Sequence, residues 1–302
     1  MQYGRPESPS HRFTKLVTPR SRVAQPEPLG QNGHLGVAGF DMLVICYGIP
    51  KSGSTLAFRM VLEVLRNAGY EQSHILNERP RVGGVAVAKG SLRSNFLKST
   101  TKESIGELVE AIGPSRMIAM KSHARFTNDL FPWLEEMQQK RAVQVIASYR
   151  DPRDICLSAM DAGERSRAQS VVKKAFSSID SVEAAARRVT RRIDDFRKWA
   201  ALQGTLRLYY ETVAFHPDEA ISAIEIALGI KCDHERVKRS VFEDANLFEN
   251  KAKSQRHRED MGDLRRKELT EIFRKFIRRA CEEDDQKWYD KRRQRILKGI
   301  EA

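Results

Sequence analysis

The sequence predicts an α/β fold in which a mainly parallel central sheet is flanked by helices. Three segments of strand length support this prediction: Met42–Tyr47, Arg116–Ser122 and Val143–Ser148. Small or polar residues follow each segment, and helical patterns alternate with the strands, which is typical of a parallel sheet. Open sheets of this kind bind ligands at the carboxyl ends of their strands, so the residues after these segments form the candidate site.

The first strand leads into a loop that suits an anion. Residues 48–55 read GIPKSGST, and apolar residues then recur at helical spacing as far as a cap at Gly69. The amides of such a loop converge on an anion, and the helix N-terminus and the charge of Lys51 strengthen the attraction. The alternative is a turn that only joins a strand to a helix.

The position of the lysine separates this loop from the Walker A pattern G-x-x-x-x-G-K-[ST]. Gly48 and Gly53 have the required separation, but Lys51 comes before the second glycine. In nucleotide triphosphatases that lysine reaches the β/γ-phosphates, and the next hydroxyl holds Mg²⁺. The pattern P-K-S-G-S-T instead resembles the 5′-phosphosulfate loop of sulfotransferases, which use 3′-phosphoadenosine 5′-phosphosulfate (PAPS).

That resemblance implies a three-layer, P-loop-like fold and PAPS as co-substrate, with no metal ion required. It assigns the 5′-phosphosulfate to Lys51, Ser52, Gly53, Ser54 and Thr55. One departure is Leu56, because many cytosolic members of the family have tryptophan there, beside the adenine. This departure argues against the branch that sulfates hormones and phenols.

Composition bounds the class of protein. The chain has 302 residues, of which 40% are apolar and 31% charged, as in globular proteins of one large or two small domains. No segment approaches the roughly 20 apolar residues of a membrane span, and the N-terminus lacks a signal core, so we expect a cytoplasmic protein. The net charge of +13 suits nucleic acid, an anionic membrane surface or anionic small molecules.

Two further predictions concern domain organisation and metal binding. Residues 1–39 lack a sustained period and are predicted to be a flexible tail, which leaves 40–302 as the domain. The cysteines are scattered without a C-x-x-C pair or ligand spacing, which predicts reduced thiols and no metal site. They are Cys46, Cys156, Cys232 and Cys281.

A long polar segment, residues 70–101, follows the first helix. Long loops inside compact domains are commonly lids or binding loops, so it is either a cover for the acceptor or a surface insertion.

The second strand ends in Lys121-Ser122-His123, which resembles a K-[ST]-H segment of cytosolic sulfotransferases. The resemblance makes His123 the base that deprotonates the acceptor and Lys121 a contact of the sulfuryl group. Imidazole suits the role of base because it titrates near the working pH. A solvated strand end is the alternative, and Glu78 is the other candidate base because the carbohydrate-sulfating branch uses carboxylates.

The third strand leads into YRDPRDICLS, residues 149–158, which resembles the family's 3′-phosphate motif. Pro152 suits the first turn of a helix, which places Ser158 about two turns along it. The resemblance assigns Arg150 and Ser158 to the 3′-phosphate, for which a guanidinium fork is well suited. The alternative is a plain strand–turn–helix joint with Arg150 and Asp154 as surface charges.

The remaining chain supplies scaffolding and two weaker matches. An amphipathic helix is predicted over 178–203, a strand over Leu206–Tyr210 and a helix over 218–229. The resemblance places Tyr210 beside the adenine, with Tyr209 as the alternative, and Arg258 in a late phosphate-binding loop. A last helix around residues 269–280 is followed by a basic tail.

Together these patterns predict a sulfotransferase that moves the sulfuryl group of PAPS to a hydroxyl or amine. Its catalytic residues are Lys51, Lys121 and His123, and its acceptor is a small molecule or glycan that could be anionic. No specific nucleic acid is expected. The alternatives are an inactive basic binding protein on the same fold and a deviant P-loop kinase.

Overall fold

The computed structural model describes residues 41–72, 85–87, 95–112, 116–168, 176–243 and 253–299. The predicted tail, residues 1–39, and the alternative base Glu78 lie outside the described residues.

Within the described residues the sheet has six strands in the order β2-β3-β4-β1-β5-β6. Its last five members, from β3 to β6, are parallel, and β2 pairs antiparallel with β3. The strands are β1 Met42–Gly48, β2 Val85–Val87, β3 Asn95–Leu97, β4 Met117–Ser122, β5 Val143–Tyr149 and β6 Leu206–Tyr209. Every residue of β1 is buried, as expected for a central strand covered on both faces.

Ten α-helices surround the sheet in the described part of the chain. In order they are α1 Ser54–Asn67, α2 Lys102–Ile112, α3 Leu130–Gln139, α4 Pro152–Ala168, α5 Val182–Ala201, α6 Tyr210–Phe215, α7 Pro217–Leu228, α8 His234–Phe242, α9 Asp263–Phe276 and α10 Gln286–Leu297. A 3₁₀ turn, Arg256–Arg258, precedes α9, and a π-helical segment, Ile277–Glu282, follows it.

Alternate residues of β1 enter two hydrophobic cores, one on each face of the sheet. Leu43, Ile45 and Tyr47 pack with residues of α3, α4, α5 and α9. Met42, Val44 and Cys46 pack with residues of α1, α7 and α8. This division follows from the two-residue period of a strand, and it gives the three-layer α/β architecture that the sequence predicts.

Segment 70–101 contains two strands that the sequence did not predict. Its described part contains β2 and β3, and β3 pairs with the end of β4 through Phe96 and Lys121. Part of this segment is therefore an edge of the sheet. Strands of three residues are too short to show a period of two, so they give no clear sequence signal.

Two other expectations also differ. Tyr210, predicted as the end of a strand, is the first residue of α6, and the strand ends at Tyr209. The segment predicted as a basic tail forms α10, whose Trp288 and Tyr289 are buried in the core. The many basic residues of α10 hide its apolar face in the sequence pattern, but some of them also contact the domain. Arg293 Nη2, for example, donates to Glu135 Oε2 at 2.9 Å.

Candidate active site

The loop between β1 and α1 contains two residues in the left-handed backbone region. Lys51 and Gly53 are both left-handed, with φ of 75° and 81°. A Cβ on Gly48 would lie 2.3 Å from the Cβ of Ser54 and 2.6 Å from Oγ of Ser148. A glycine at position 48 therefore lets the end of β1 lie directly against the start of α1.

Several polar groups in this loop are available to a ligand. The amides of Ser54 and Thr55 begin α1, where backbone donors have no acceptor within the helix. The hydroxyl of Ser52 is buried and has no hydrogen-bond partner among the described residues, whereas the Ser52 amide donates to the carbonyl of Ile49 at 3.0 Å. An anion in the loop would thus meet the Ser52 hydroxyl, because the amide closes the turn.

Lys51 belongs to this loop, and a second lysine, Lys121, reaches the loop from β4. Lys121, near the end of β4, donates from Nζ to Oγ1 of Thr55 at 2.6 Å. Burial lowers the pKa of Lys121 to about 8, and the charge of Lys51 contributes to the shift. Burial also lowers the pKa of Lys51, and the charge of Arg165 adds to that effect. Positive charge is concentrated here, where an oxyanion would relieve the mutual repulsion.

His123 follows β4 and contacts the same loop. Its Nδ1 lies 2.6 Å from the carbonyl oxygen of Gly48. Because a carbonyl oxygen can only accept, this contact assigns the proton to Nδ1 and leaves the lone pair of Nε2 open. Burial, followed by the charge of Lys121, lowers the pKa of His123 to about 4. The imidazole is consequently neutral at pH 7 and able to accept a proton.

Arg150, which follows β5, is held in the interior beside Tyr210. Its guanidinium lies 4.1 Å from the centre of the Tyr210 ring, and Nη2 donates to the carbonyl of Lys253 at 2.7 Å. In the part of the chain that the structure describes, the buried Nε atom of Arg150 has no hydrogen-bond partner. A buried guanidinium with an unused donor fits an oxyanion ligand.

Asp154 holds Arg150 in place, and His257 in turn holds Asp154. Asp154 is fully buried, and its Oδ2 lies 3.2 Å from Nη2 of Arg150. Its Oδ1 accepts from the backbone amide and from Nδ1 of His257, both at 2.8 Å. Burial alone raises the pKa of Asp154, but the His257 bonds and the charge of Arg150 outweigh it and hold that pKa below its ordinary value.

Tyr210 joins the two halves of the site. A Cβ built on Gly53 would lie 2.3 Å from Cδ2 of Tyr210, so the ring rests directly on the loop while Arg150 covers it. Tyr209 instead stacks on Tyr149, with ring centres 5.1 Å apart. Of the two tyrosines that the sequence left open, Tyr210 is the one that contacts the candidate site.

Ser158 and Arg258, which the sequence also predicted for the site, are less buried than Arg150. Ser158 is half-buried on α4, two turns after Arg150. Arg258 is exposed in the 3₁₀ turn, whereas its neighbour His257 is buried on Asp154.

The roles of Asp154 and His257 were not predicted from the sequence. The available signal was the second aspartate of D-P-R-D, which faces inward in the first turn of α4. Its partner is 103 residues away in sequence, so only the fold brings the two together.

One group of possible metal ligands exists among the described residues, outside this site. Atoms of Glu225, Cys232 and His234 lie within 4.8 Å of one another, although their spacing gave no signal in the sequence. Glu225 accepts from Nζ of Lys231 at 3.0 Å and from the amide of Cys232 at 2.8 Å. These bonds give the group a structural role, because they tie Glu225 of α7 to the segment that leads into α8.

Comparison with known proteins identifies the family. The profile of the sulfotransferase domain matches residues 41–296, so the chain belongs to the sulfotransferase domain family. No curated protein matches it in sequence.

Three solved structures are similar to the chain. Mouse sulfotransferase SULT7A1 complexed with PAP is 14% identical, with a TM-score of 0.50 over 83% of this chain and 87% of that one. The sulfotransferase domain of the curacin biosynthetic pathway is 15% identical, with a TM-score of 0.36 over 66% and 76%. The sulfotransferase domain of the Synechococcus PCC 7002 olefin synthase is 16% identical, with a TM-score of 0.38 over 81% and 98%. At these identities the likeness concerns the fold.

Among the described residues, no helix has the length and apolar character needed to cross a membrane.

Proposed function

We propose that the protein transfers the sulfuryl group of PAPS to a hydroxyl or amine of a small-molecule or glycan acceptor. The observation that carries this proposal is the meeting of β4 with the β1–α1 loop. Lys121 donates to Thr55 and His123 contacts Gly48, each at 2.6 Å, which supports the roles proposed for a cation and a neutral base at this loop. Family membership supports the same reaction class.

The residues present fit PAPS as the donor. The 5′-phosphosulfate would bind at Lys51, Ser52, Gly53, Ser54 and Thr55, where the Ser52 hydroxyl lacks a partner. The 3′-phosphate would bind Arg150 through its unused Nε, with Ser158 and Arg258 as further contacts. Tyr210 would hold Arg150 against the loop and contact the adenine at the edge of that pair. None of these contacts requires a metal ion.

The proposed chemistry depends on the charges of Lys51 and Lys121 and on the tautomer of His123. The acceptor oxygen or nitrogen attacks sulfur as its proton passes to Nε2 of His123, and the bond from sulfur to the 5′-phosphate oxygen breaks. Lys51 and Lys121 stabilise the sulfuryl oxygens and the charge that develops on the leaving oxygen. Most of the acceleration comes from positioning and from electrostatic stabilisation in a buried site.

Calorimetric titration with 3′-phosphoadenosine 5′-phosphate (PAP), beside ATP and without metal, tests the proposal. We expect binding that far exceeds that of ATP and is lost in Arg150→Ala, because the buried guanidinium meets the 3′-phosphate. In His123→Ala we expect the PAP affinity to persist while turnover falls about 10²–10⁴-fold, the usual contribution of a general base.

The other outcomes are equally informative. Tighter binding of Mg-ATP would favour the kinase alternative, and strongly salt-dependent binding of polyanions without PAP binding would favour the inactive binder. A His123→Ala variant with near-normal turnover would show that another group, such as Glu78, is the base.

A further inference from the structure

A second cationic group lies beside the candidate base, on helix α5. Arg192 donates from Nη1 to the backbone carbonyl of His123 at 3.1 Å. Arg188 lies one turn earlier, and residues four apart share one face of a helix. This pair, Arg188 and Arg192, is hereafter called the α5 arginine pair. Through Arg192 the pair lies beside the backbone of the candidate base.

The aromatic ring of Phe176 connects this pair with the donor loop. The guanidinium of Arg188 lies 4.9 Å from the centre of that ring, and Nζ of Lys51 lies 5.7 Å from the same centre. One half-buried ring thus holds two cations near the position proposed for the sulfuryl group. Arg188 and Arg192 therefore flank the approach from Lys51 to His123.

The charges of this region are incompletely balanced. Arg192 is paired with Asp195 at 3.3 Å, but Arg188 has no carboxylate partner among the residues that the structure describes. Asp161, whose charge raises the pKa of Lys51, is engaged by Arg256 at 2.8 Å. Burial, and then the charges of Arg192 and Arg191, lower the pKa of Arg188. Crowded cations of this kind cost free energy that a bound anion recovers.

The anionic groups of PAPS do not account for the pair. The groups proposed to bind them are the β1–α1 loop, the two lysines, Arg150, Ser158 and Arg258. None of these belongs to α5, and Arg150 lies over the ring of Tyr210. The α5 arginine pair instead contacts the segment after β4, at the carbonyl of His123. Arg192 is engaged there by Asp195, which leaves Arg188 as the member of the pair for the acceptor.

We propose that the α5 arginine pair is a subsite for an oxyanion of the acceptor, a carboxylate, phosphate or sulfate near the reacting hydroxyl. This inference rests on the proposed function and names its substrate class. Guanidinium groups suit such anions because their N–H donors match the two oxygens of one oxyanion. The anion would fix the acceptor by two points, with the hydroxyl at Nε2 of His123 and the charge at Arg188.

A paired-probe experiment on the PAP-saturated protein tests this subsite without requiring turnover. Benzoate and benzamide have the same shape and differ in charge, and ligand-detected NMR measures weak binding of each. We expect benzoate to bind about tenfold more tightly than benzamide, as charged hydrogen bonds do relative to neutral ones. Arg188→Gln should abolish this preference and leave the PAP affinity unchanged.

Arg187→Gln is the matched control, because it removes the same charge from an exposed neighbour on α5. It should retain the benzoate preference. If 4-(hydroxymethyl)benzoate is sulfated, Arg188→Gln should raise its KM about tenfold with little change in kcat, and the corresponding amide should be unaffected.

The outcomes separate this inference from the proposed function. Failure of the wild-type protein to bind PAP would contradict both. Normal PAP binding with equal affinity for the two probes, or a benzoate preference that survives in Arg188→Gln, would overturn the α5 subsite alone.

Discussion

His123 and Lys121 owe their chemistry to burial and to each other. Burial and the charge of Lys121 lower the pKa of His123 to about 4, and burial lowers the pKa of Lys121 to about 8. The Gly48 carbonyl fixes the imidazole tautomer with the lone pair on Nε2. At neutral pH the two side chains therefore occur as a neutral base and a cation, which is the pairing that the proposed transfer needs.

These pKa values predict the pH dependence of kcat/KM, which reports the free enzyme. His123 must be neutral, and because its pKa is lowered, activity should persist as pH falls to 5, well below the ordinary histidine range. Lys121 must be charged, so activity should fall as pH rises through about 8. The measurement is kcat/KM between pH 5 and 9.5.

Lys121→Arg serves as the control, because a guanidinium keeps its charge throughout this range and should remove the alkaline limb. An acid limb near pH 6.5 would show that the essential base is an ordinary, solvated histidine or another group.

At the scale of the element, the strand–loop–helix unit depends on Gly53 in two ways. Its φ is 81°, and a Cβ there would lie 2.3 Å from Cδ2 of Tyr210. Gly204 provides a comparison, because its φ is 83° but nothing lies within 4 Å of an added Cβ. The two glycines share the backbone requirement and differ in the close contact.

We expect Gly204→Ala to lower the free energy of unfolding by about 1–2 kcal/mol, the cost of a left-handed alanine. Gly53→Ala should cost more, because the ring of Tyr210 must also move, and it should weaken PAP binding since Tyr210 holds Arg150. Urea unfolding and PAP titration measure the two effects. Equal costs with unchanged PAP affinity would contradict the contact between Tyr210 and the loop.

The elements also show why some predictions from sequence succeeded. The strands β1, β4 and β5 were predictable because each has six or seven residues, most of them apolar, and leads into a distinct polar motif. The short strand β3 was not, because its place in the sheet comes from pairing with β4 and not from its own three residues.

At the scale of the whole molecule, helix α10 closes one face of the domain. Trp288 packs in the core with the guanidinium of Arg197 at 4.5 Å from its ring, and Tyr289 is covered by Arg207 at 4.3 Å. Arg292 binds Asp194 of α5 at 3.1 Å. The chain's last described helix thus supports α5, which carries the α5 arginine pair.

We expect Trp288→Ala to lower the free energy of unfolding by about 3 kcal/mol, because a buried aromatic side chain is replaced by a cavity. Ile226→Ala is the control, since Ile226 is 77% exposed and should cost less than about 0.5 kcal/mol. Chemical unfolding measures both. A loss below 1 kcal/mol in Trp288→Ala would contradict the docking of α10 on the core.

The sequence by itself determined the α/β class, the order of the central strands and helices, and the loop and motif residues that carry the proposed chemistry. These features are local, because a strand, its following turn and the next helix are adjacent in the chain. The residues Lys51, Lys121, His123 and Arg150 could therefore be selected before any contact was known.

Only the tertiary structure decided how these local units meet. It selected Tyr210 over Tyr209 as the contact of the loop, fixed the imidazole tautomer through Gly48, and brought His257 to Asp154. It also placed Arg188 and Lys51 on one aromatic ring. Such contacts join residues far apart in the chain, and they follow from packing of the sheet and its helices, which no single segment encodes.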